Sequence, residues 1–250
     1  MRTYGLIGFP LSHSFSRAFF TDKFARENKK EQYLNFEIDS ITLFPGIVES
    51  QPELAGLNVT IPYKQQVIPF LDGLDTVASG TGAVNTIRVR READRIFTEG
   101  FNTDVAGFSG SIRPLLKPWH RSALILGTGG AAKAVMYSFN QMGINWMQVS
   151  RNPSGGKSIS YEMINRALLE EFMVVVNTTP VGTFPDINSF PAIPYHFLSG
   201  KHLLFDLVYN PPVTRFLANG AERGAVVRNG REMLELQALK SYGIWNSSVE

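Results

Sequence analysis

The 250-residue chain contains no cysteine. Disulfides and thiolate metal sites are therefore excluded. Its four histidines, His13, His120, His196 and His202, show no ligand spacing such as His-x-x-x-His. No apolar run approaches the roughly 20 residues that a membrane span needs. No dense stripe of lysine and arginine is present, so nucleic-acid binding is not suggested. Met1-Arg-Thr-Tyr-Gly5 enters a strand-like segment directly, without the pattern of a signal peptide. Internal repeats and low-complexity linkers are also lacking. These absences lead to the expectation of a cytoplasmic, metal-free protein, with neither membrane nor nucleic acid as partner.

The residues present describe a folded enzyme-sized chain. It is 44% hydrophobic and 18% charged, which excludes wholesale disorder. At this length one large domain or two small ones can each bury a core. The net charge is +2 but uneven. Residues 1–103 carry 11 basic and 12 acidic side chains, whereas residues 104–229 carry 11 basic and 7 acidic ones, a balance of +4. That surplus agrees with an anionic cofactor.

The most informative stretch is Ser122-Ala-Leu-Ile-Leu-Gly127-Thr128-Gly129-Gly130-Ala131-Ala132. An apolar run of strand length enters a glycine turn, and the turn opens into a helical pattern. This Gly-x-Gly-x-x-small arrangement lets a backbone approach a pyrophosphate, with free N–H groups at the helix start. The alternative is a junction where small residues serve packing. A second strand, Trp146–Val149, ends at Ser150-Arg151-Asn152. An NAD site places an acid there for the ribose 2′-hydroxyl. No acid occurs from Gln148 to Asn152, and the Arg151 guanidinium suits a 2′-phosphate instead. NADP is the expected cofactor.

The first hundred residues alternate strand and helix patterns. Strands are expected at Tyr4–Gly8, Tyr33–Ile38 and Leu57–Thr60, and helices at Ser16–Asn28 and Leu43–Ser50. Val84–Arg90 and Arg95–Thr98 read as a hairpin. Beyond Asp104 the pattern predicts helices at Val105–Leu116, Ala131–Met142, Tyr161–Glu170, Pro212–Arg223 and Arg231–Ile244. Between them it predicts strands at Phe172–Val176, Leu203–Val208 and Ala225–Val227. Two strand–helix series imply an α/β protein of two domains.

Polar clusters sit at the ends of these elements. They are Ser14-x-Ser16, Asn58-Val-Thr60-Ile-Pro-Tyr-Lys64, Gly82-Ala-Val-Asn85-Thr86, Asn102-Thr-Asp104 and Asn177-Thr178-Thr179-Pro-Val-Gly182. With the glycine turn, this ordered set resembles the shikimate dehydrogenase family from Gly5 to Gln237. The resemblance implies two α/β domains. Residues 1–103 plus 230–250 would form a substrate domain with a mixed sheet, and 104–229 a Rossmann-like NADP domain, with the substrate in the cleft between them. It implies reversible, NADP-linked reduction of 3-dehydroshikimate to shikimate in aromatic amino acid and chorismate biosynthesis, by a monomer or homodimer. Lys64 and Asp104 match the family's catalytic pair. Ser14, Ser16, Asn58, Thr60, Asn85, Asn102, Tyr209 and Gln237 match groups that hold the ring hydroxyls and carboxylate. Cofactor contacts would come from Gly127, Thr128, Gly129, Gly130, Ala131, Ser150, Arg151, Asn177, Thr178, Thr179, Gly230 and Met233.

The chemistry suits those roles. Hydride reduction of a ketone requires a proton for the developing alkoxide, which an ammonium supplies while stabilising negative charge. A polyhydroxylated substrate needs many short polar partners. Each residue also has a plainer reading: Ser14 and Ser16 as helix caps, Lys64 as a solvated lysine, Asp104 as an N-cap, Asn58 and Asn85 as turn residues, Gln237 as exposed, Tyr209 as turn packing. Rival functions are a quinate/shikimate dehydrogenase of mixed NAD and NADP use, and a non-catalytic ligand sensor on the same scaffold. The sequence departs from the family at Thr183, where methionine is common, and at Phe101, which is often polar. Only 25 residues separate Arg151 from Asn177, a shorter span than the one in which the family usually fits a helix and an extra strand, and whether segment 152–160 lacks a crossover helix is left open by the sequence. Little chain follows Gln237 to build the last helix.

Overall fold

A computed structural model describes residues 1–11, 15–93 and 95–247. It divides into two compact units, residues 1–103 with those from 238 onward, and residues 104–237.

The first unit begins with strand β1 (Arg2–Gly8), helix α1 (Phe15–Arg26) and strand β2 (Glu31–Glu37). Then come α2 (Phe44–Ser50), β3 (Leu54–Val59), the two-residue β4 (Gly73–Leu74), α3 (Thr76–Thr81), β5 (Thr86–Glu92) and β6 (Arg95–Phe101). The strands form one sheet in the order β2-β1-β3-β5-β6-β4. β1, β2 and β3 are parallel, and β5 runs antiparallel to β3 and β6. The expected hairpin is thus built in as the antiparallel addition. Alternation along β1 sends Ile7 to a core with Phe44 and Val48 of α2. Tyr4 and Leu6 face the other way, onto Phe20 and Phe24 of α1 and onto Ala238 and Trp245. Helix α3 has no counterpart in the hydrophobic pattern. Its six residues are too few to show a period, and it starts because the Asp75 side chain accepts from Ala78 N–H.

The second unit holds α4 (Asp104–Ile112), β7 (Ser122–Leu126), α5 (Gly130–Met142), β8 (Asn145–Val149), β9 (Ser158–Ile159) and α6 (Arg166–Glu171). It continues with β10 (Val174–Asn177), β11 (Leu203–Asp206), α7 (Arg215–Ala221), β12 (Val226–Arg228) and the start of α8 (Arg231–Asn246). The sheet is fully parallel, in the order β12-β11-β10-β7-β8-β9. Its central strand β7 is buried along its whole length, as helices on both faces require. Ala123 and Ile125 pack on Phe108, Val135 and Phe139, whereas Leu124 and Leu126 pack on Leu169, Phe216 and Leu217. The strand order reverses between β7 and β10, the switch point at which open α/β sheets bind ligands. The α/β class expected from the sequence holds, with a mixed sheet in one unit and a parallel sheet in the other.

Several elements differ from the expectations. Tyr161–Glu170 is not one helix: a single 3₁₀ turn at Tyr161–Met163 precedes α6, which begins where Asn165 accepts from Leu168 N–H. α7 likewise begins only after Thr214, whose hydroxyl caps it, because the prolines at 211 and 212 precede that cap. The last helix is longer than anticipated and runs to Asn246, with Trp245 buried. Residues 230–237, read from sequence with the first unit, group with the second, where Met233 packs on Phe108 and a Cβ at Gly107 would lie 2.5 Å from the Met233 carbonyl. Between Arg151 and Asn177 the chain fits β9, the 3₁₀ turn and α6, while residues 150–157, all described, link β8 to β9 without a helix.

Candidate functional site

In the first unit the carboxyl ends of β1, β3 and β6 and the start of β5 lie on one edge of the sheet. That geometry gathers residues 58–64, 82–86 and 101–103. The main chain ties them together: Val59 N–H donates to Asn85 O, Asn85 N–H to Phe101 O, and Val84 N–H to Lys64 O at 2.7 Å. Lys64, half-buried, is therefore anchored through its own carbonyl to the Gly82–Thr86 turn.

Side chains continue the network. Asn58 Nδ2 reaches Asn85 O, Thr86 Oγ1 and Ser241 Oγ at 3.1–3.3 Å, and Asn58 Oδ1 accepts from the Tyr33 hydroxyl at 2.7 Å. Tyr33 also bonds Ser16, and burial pushes its phenol well above the ordinary range. Asn85 Oδ1 accepts from Thr103 N–H at 2.7 Å and from its hydroxyl. Thr86 and Ser241 share a hydrogen bond of 2.7 Å. Ser16, Asn58 and Asn85 thus belong to one connected group. Thr60, half-buried, accepts from Tyr63 N–H through its carbonyl and packs on Gly8, where a Cβ would sit 2.4 Å from its methyl. Asn102 donates to Thr81 Oγ1 and Ala83 O, while its Oδ1 is buried and accepts no hydrogen bond among the described residues. An acceptor in that state suits a hydroxyl donor. Ser14 lies outside the described residues.

Four members of this network, Tyr33, Thr86, Thr103 and Ser241, were not among the sequence candidates. Thr86 and Thr103 sit inside the Gly82–Thr86 and Asn102–Asp104 motifs, next to residues of stronger polar character. Ser241 falls one helical turn after Gln237, a spacing that offered a signal. Tyr33 offered none, since a tyrosine in a strand is ordinary.

The second unit carries Asp104, Gly127–Ala131, Ser150, Arg151, Asn177–Thr179, Tyr209, Gly230, Met233 and Gln237. Asp104 is 2% exposed, in the first turn of α4, and is helical itself rather than a cap preceding the helix. At the switch point Gly127 has φ +117°, and a Cβ there would meet Thr178 Oγ1 at 2.6 Å. Thr178 donates from both its N–H and its hydroxyl to Leu126 O, which locks β10 to the turn. Thr128 and Gly129 are exposed, and a Cβ at Gly129 would meet nothing within 4 Å. Gly129 offers no side chain to the N–H groups that open α5. The turn therefore has donors, the positive end of a 13-residue helix and clear space, which together fit a phosphate group.

Ser150 is half-buried and folds its hydroxyl onto Asn152, while Arg151 is exposed beside Tyr161. Gly230 N–H donates to Val208 O, and a Cβ there would strike Leu207 O at 2.2 Å. Tyr209 and Gln237 are half-buried. Met233 is a core residue. A cavity of about 770 Å³ lies at the opposite edge of this sheet, lined by Arg166, Glu170, His196, Lys201 and His202, and it contains none of the candidates. His202 there is structural: it accepts from Ser199 N–H, its other nitrogen bonds Leu169 O, and burial lowers its pKa. No helix among the described residues is long and apolar enough to cross a membrane.

Residues 6–87 match the sequence model of the shikimate dehydrogenase substrate binding domain. A shikimate dehydrogenase (NADP(+)) of Clostridium beijerinckii is 37% identical over 255 residues, covering 98% of this chain and 92% of that protein. Among solved structures, shikimate 5-dehydrogenase of Thermus thermophilus in complex with NADP(H) and shikimate aligns with a TM-score of 0.85 at 27% identity, covering 100% of this chain and 95% of that one. Quinate dehydrogenase of Corynebacterium glutamicum in complex with NAD aligns with a TM-score of 0.86 at 26% identity, covering 98% and 93%.

Proposed function

The chain belongs to the shikimate dehydrogenase family, and from that premise we propose that it catalyses the reversible, NADP-dependent reduction of 3-dehydroshikimate to shikimate. The observation that carries the reading is the polar edge of the first unit's sheet. There Asn58, Asn85, Thr103 and Ser241 converge, Asn102 holds an unused acceptor, and Lys64 is fixed by its carbonyl. A ring with several hydroxyls needs that density of short polar partners.

NADPH supplies the hydride. Lys64 donates the proton to the developing alkoxide and takes it back in alcohol oxidation. Asp104 orients the Lys64 ammonium and bonds a neighbouring hydroxyl. Ser14, Ser16, Asn58, Thr60, Asn85, Asn102, Tyr209 and Gln237 hold the remaining substrate groups. The glycine turn Gly127–Ala131 takes the pyrophosphate, Ser150 and Arg151 the 2′-phosphate, and Asn177, Thr178, Thr179, Gly230 and Met233 the nicotinamide end. Support for the turn comes from the free N–H groups and open space at Gly129. The buried Met233 would act by packing behind that end rather than through an exposed face. The protein works in the cytoplasm as a monomer or homodimer.

The test follows reduced cofactor spectroscopically with shikimate and with quinate, each with NADP and with NAD. Turnover with shikimate and NADP far above the other three combinations is expected. Dominant turnover with quinate or with NAD would move the assignment to the quinate branch. Ligand binding without turnover in any combination would favour a sensor.

A further inference from the structure

We infer that Asp206 is the positioning residue that holds the Asn177–Thr179 loop and the Val208–Tyr209 turn in place at the carboxyl edge of the parallel sheet, and so sets how tightly NADP is bound. The inference rests on the function proposed above and adds to it a residue that touches neither substrate nor cofactor.

Asp206 is the lone acid in the apolar run Leu203–Val208 and is fully buried. Three neutral donors converge on it. Asn177 Nδ2, its register partner on β10, reaches Oδ1 at 2.9 Å, and Val208 N–H reaches the same oxygen at 3.1 Å. The Thr214 hydroxyl donates to Oδ2 at 2.5 Å. A buried carboxylate held by neutral groups is costly to keep, and burial raises its pKa to about 6.

What the carboxylate fixes is the direction of the Asn177 amide. An amide has one donor end and one acceptor end. With Nδ2 donating to Asp206 at 2.9 Å and, at a longer 3.4 Å, to Val181 O, Oδ1 must face Thr179, where it accepts from the N–H at 3.1 Å and the hydroxyl at 2.6 Å. Flipped, the amide would present hydrogens to two donors. Thr179 in turn accepts from Val181 N–H, and its methyl would sit 3.0 Å from a Cβ at Gly127. The chain of contacts therefore runs from Thr214, the cap of α7, through Asp206 and Asn177 to the glycine turn. A branch runs through Val208, whose carbonyl accepts from Gly230 N–H.

The test measures the Kd of NADP by calorimetry, and steady-state parameters, for Asp206→Ala, Asn177→Ala, the double variant and Asp206→Asn. Asp206→Asn keeps an oxygen for Asn177 and Val208 and can donate to Thr214, so it should bind NADP within about threefold of wild type. Asp206→Ala and Asn177→Ala should each weaken NADP roughly 10- to 100-fold with KM for shikimate little changed. The double variant should lose clearly less than the product of the two single effects, because both act through one amide and only the Val208 branch is lost in addition. Fully multiplying effects in the double variant, which would mean that the two residues share no amide, or an Asp206→Ala that binds NADP normally, would overturn the proposal. Should Asp206→Ala not fold, the wild-type protein still decides: the Asn177 side-chain amide protons should exchange with solvent at least about tenfold more slowly than those of exposed Asn152, and equal rates would overturn it. Wild-type turnover with shikimate and NADP tests the functional reading separately, since the binding measurements need no turnover.

Discussion

Alanine substitutions at the two glycines of the turn, Gly127 and Gly129, should have opposite signatures. At Gly127 the backbone holds φ +117°, which an L-residue adopts at a cost of about 1–3 kcal/mol. The new methyl would also lie 2.6 Å from Thr178 Oγ1 and 3.0 Å from Thr179 Cγ2. Relieving that overlap costs about 1–3 kcal/mol more, because Thr178 is pinned to Leu126 O by two hydrogen bonds. Gly127→Ala should therefore lose about 2–6 kcal/mol of folding stability, read as a lower urea midpoint. Gly129 has φ −75° and no atom within 4 Å of its virtual Cβ. Alanine fits there, and the small losses and gains at an N-cap leave stability within about 1 kcal/mol of wild type. Its methyl would stand where a phosphate must approach the α5 N–H groups, so the Kd for NADP should rise about tenfold or more. Urea titration and calorimetry on the same two variants separate the effects. A Gly127→Ala protein as stable as wild type would refute the steric reasoning, and a Gly129→Ala protein with unchanged NADP affinity would refute the phosphate site.

Lys64→Ala should lower kcat by roughly 10²- to 10⁴-fold with a smaller change in substrate affinity, and near-normal turnover would remove the proton-donor role. Arg151→Ala should narrow the preference for NADP over NAD, measured as the ratio of kcat/KM values; an unchanged ratio would remove the 2′-phosphate contact. Trp245 stacks on Tyr4 at 4.7 Å and donates to Ile87 O, so Trp245→Ala should cost about 3–5 kcal/mol in denaturant titrations. Asp206 has a folded pKa raised from 3.8 to about 6, so the folded state binds the proton more tightly than the unfolded chain. Its contribution to stability is thus complete below pH 3.8 and is lost as pH rises through about 6. Relative to Asp206→Asn, wild type should lose about 3 kcal/mol across that window, and parallel pH profiles of the two urea midpoints would contradict it.

The glycine turn, Arg151 at the end of β8 and the polar clusters were legible because each is local, a residue or short run at the end of an element. The steric demand of a tight turn is local, so Gly127 announces itself in sequence. The helix-free link after Arg151 has a local cause too, since Asn152-Pro-Ser-Gly-Gly-Lys157 is a run of turn residues. Helix limits were less so. Caps such as Asn165 and Thr214 start α6 and α7 later than hydrophobic periodicity suggests, because a side-chain hydrogen bond to one N–H decides the first turn.

Two α/β units, the glycine turn, and the lysine and carboxylate proposed as the catalytic pair are all written in short local runs of residues. The groups that support them are not, and they came to light with the folded chain. Ser241 meets Asn58 across 183 positions, and Asp206 meets Asn177 across 29. Such partners share no local pattern. They become neighbours only when strand register and helix packing bring them together, and no spacing along the chain records that.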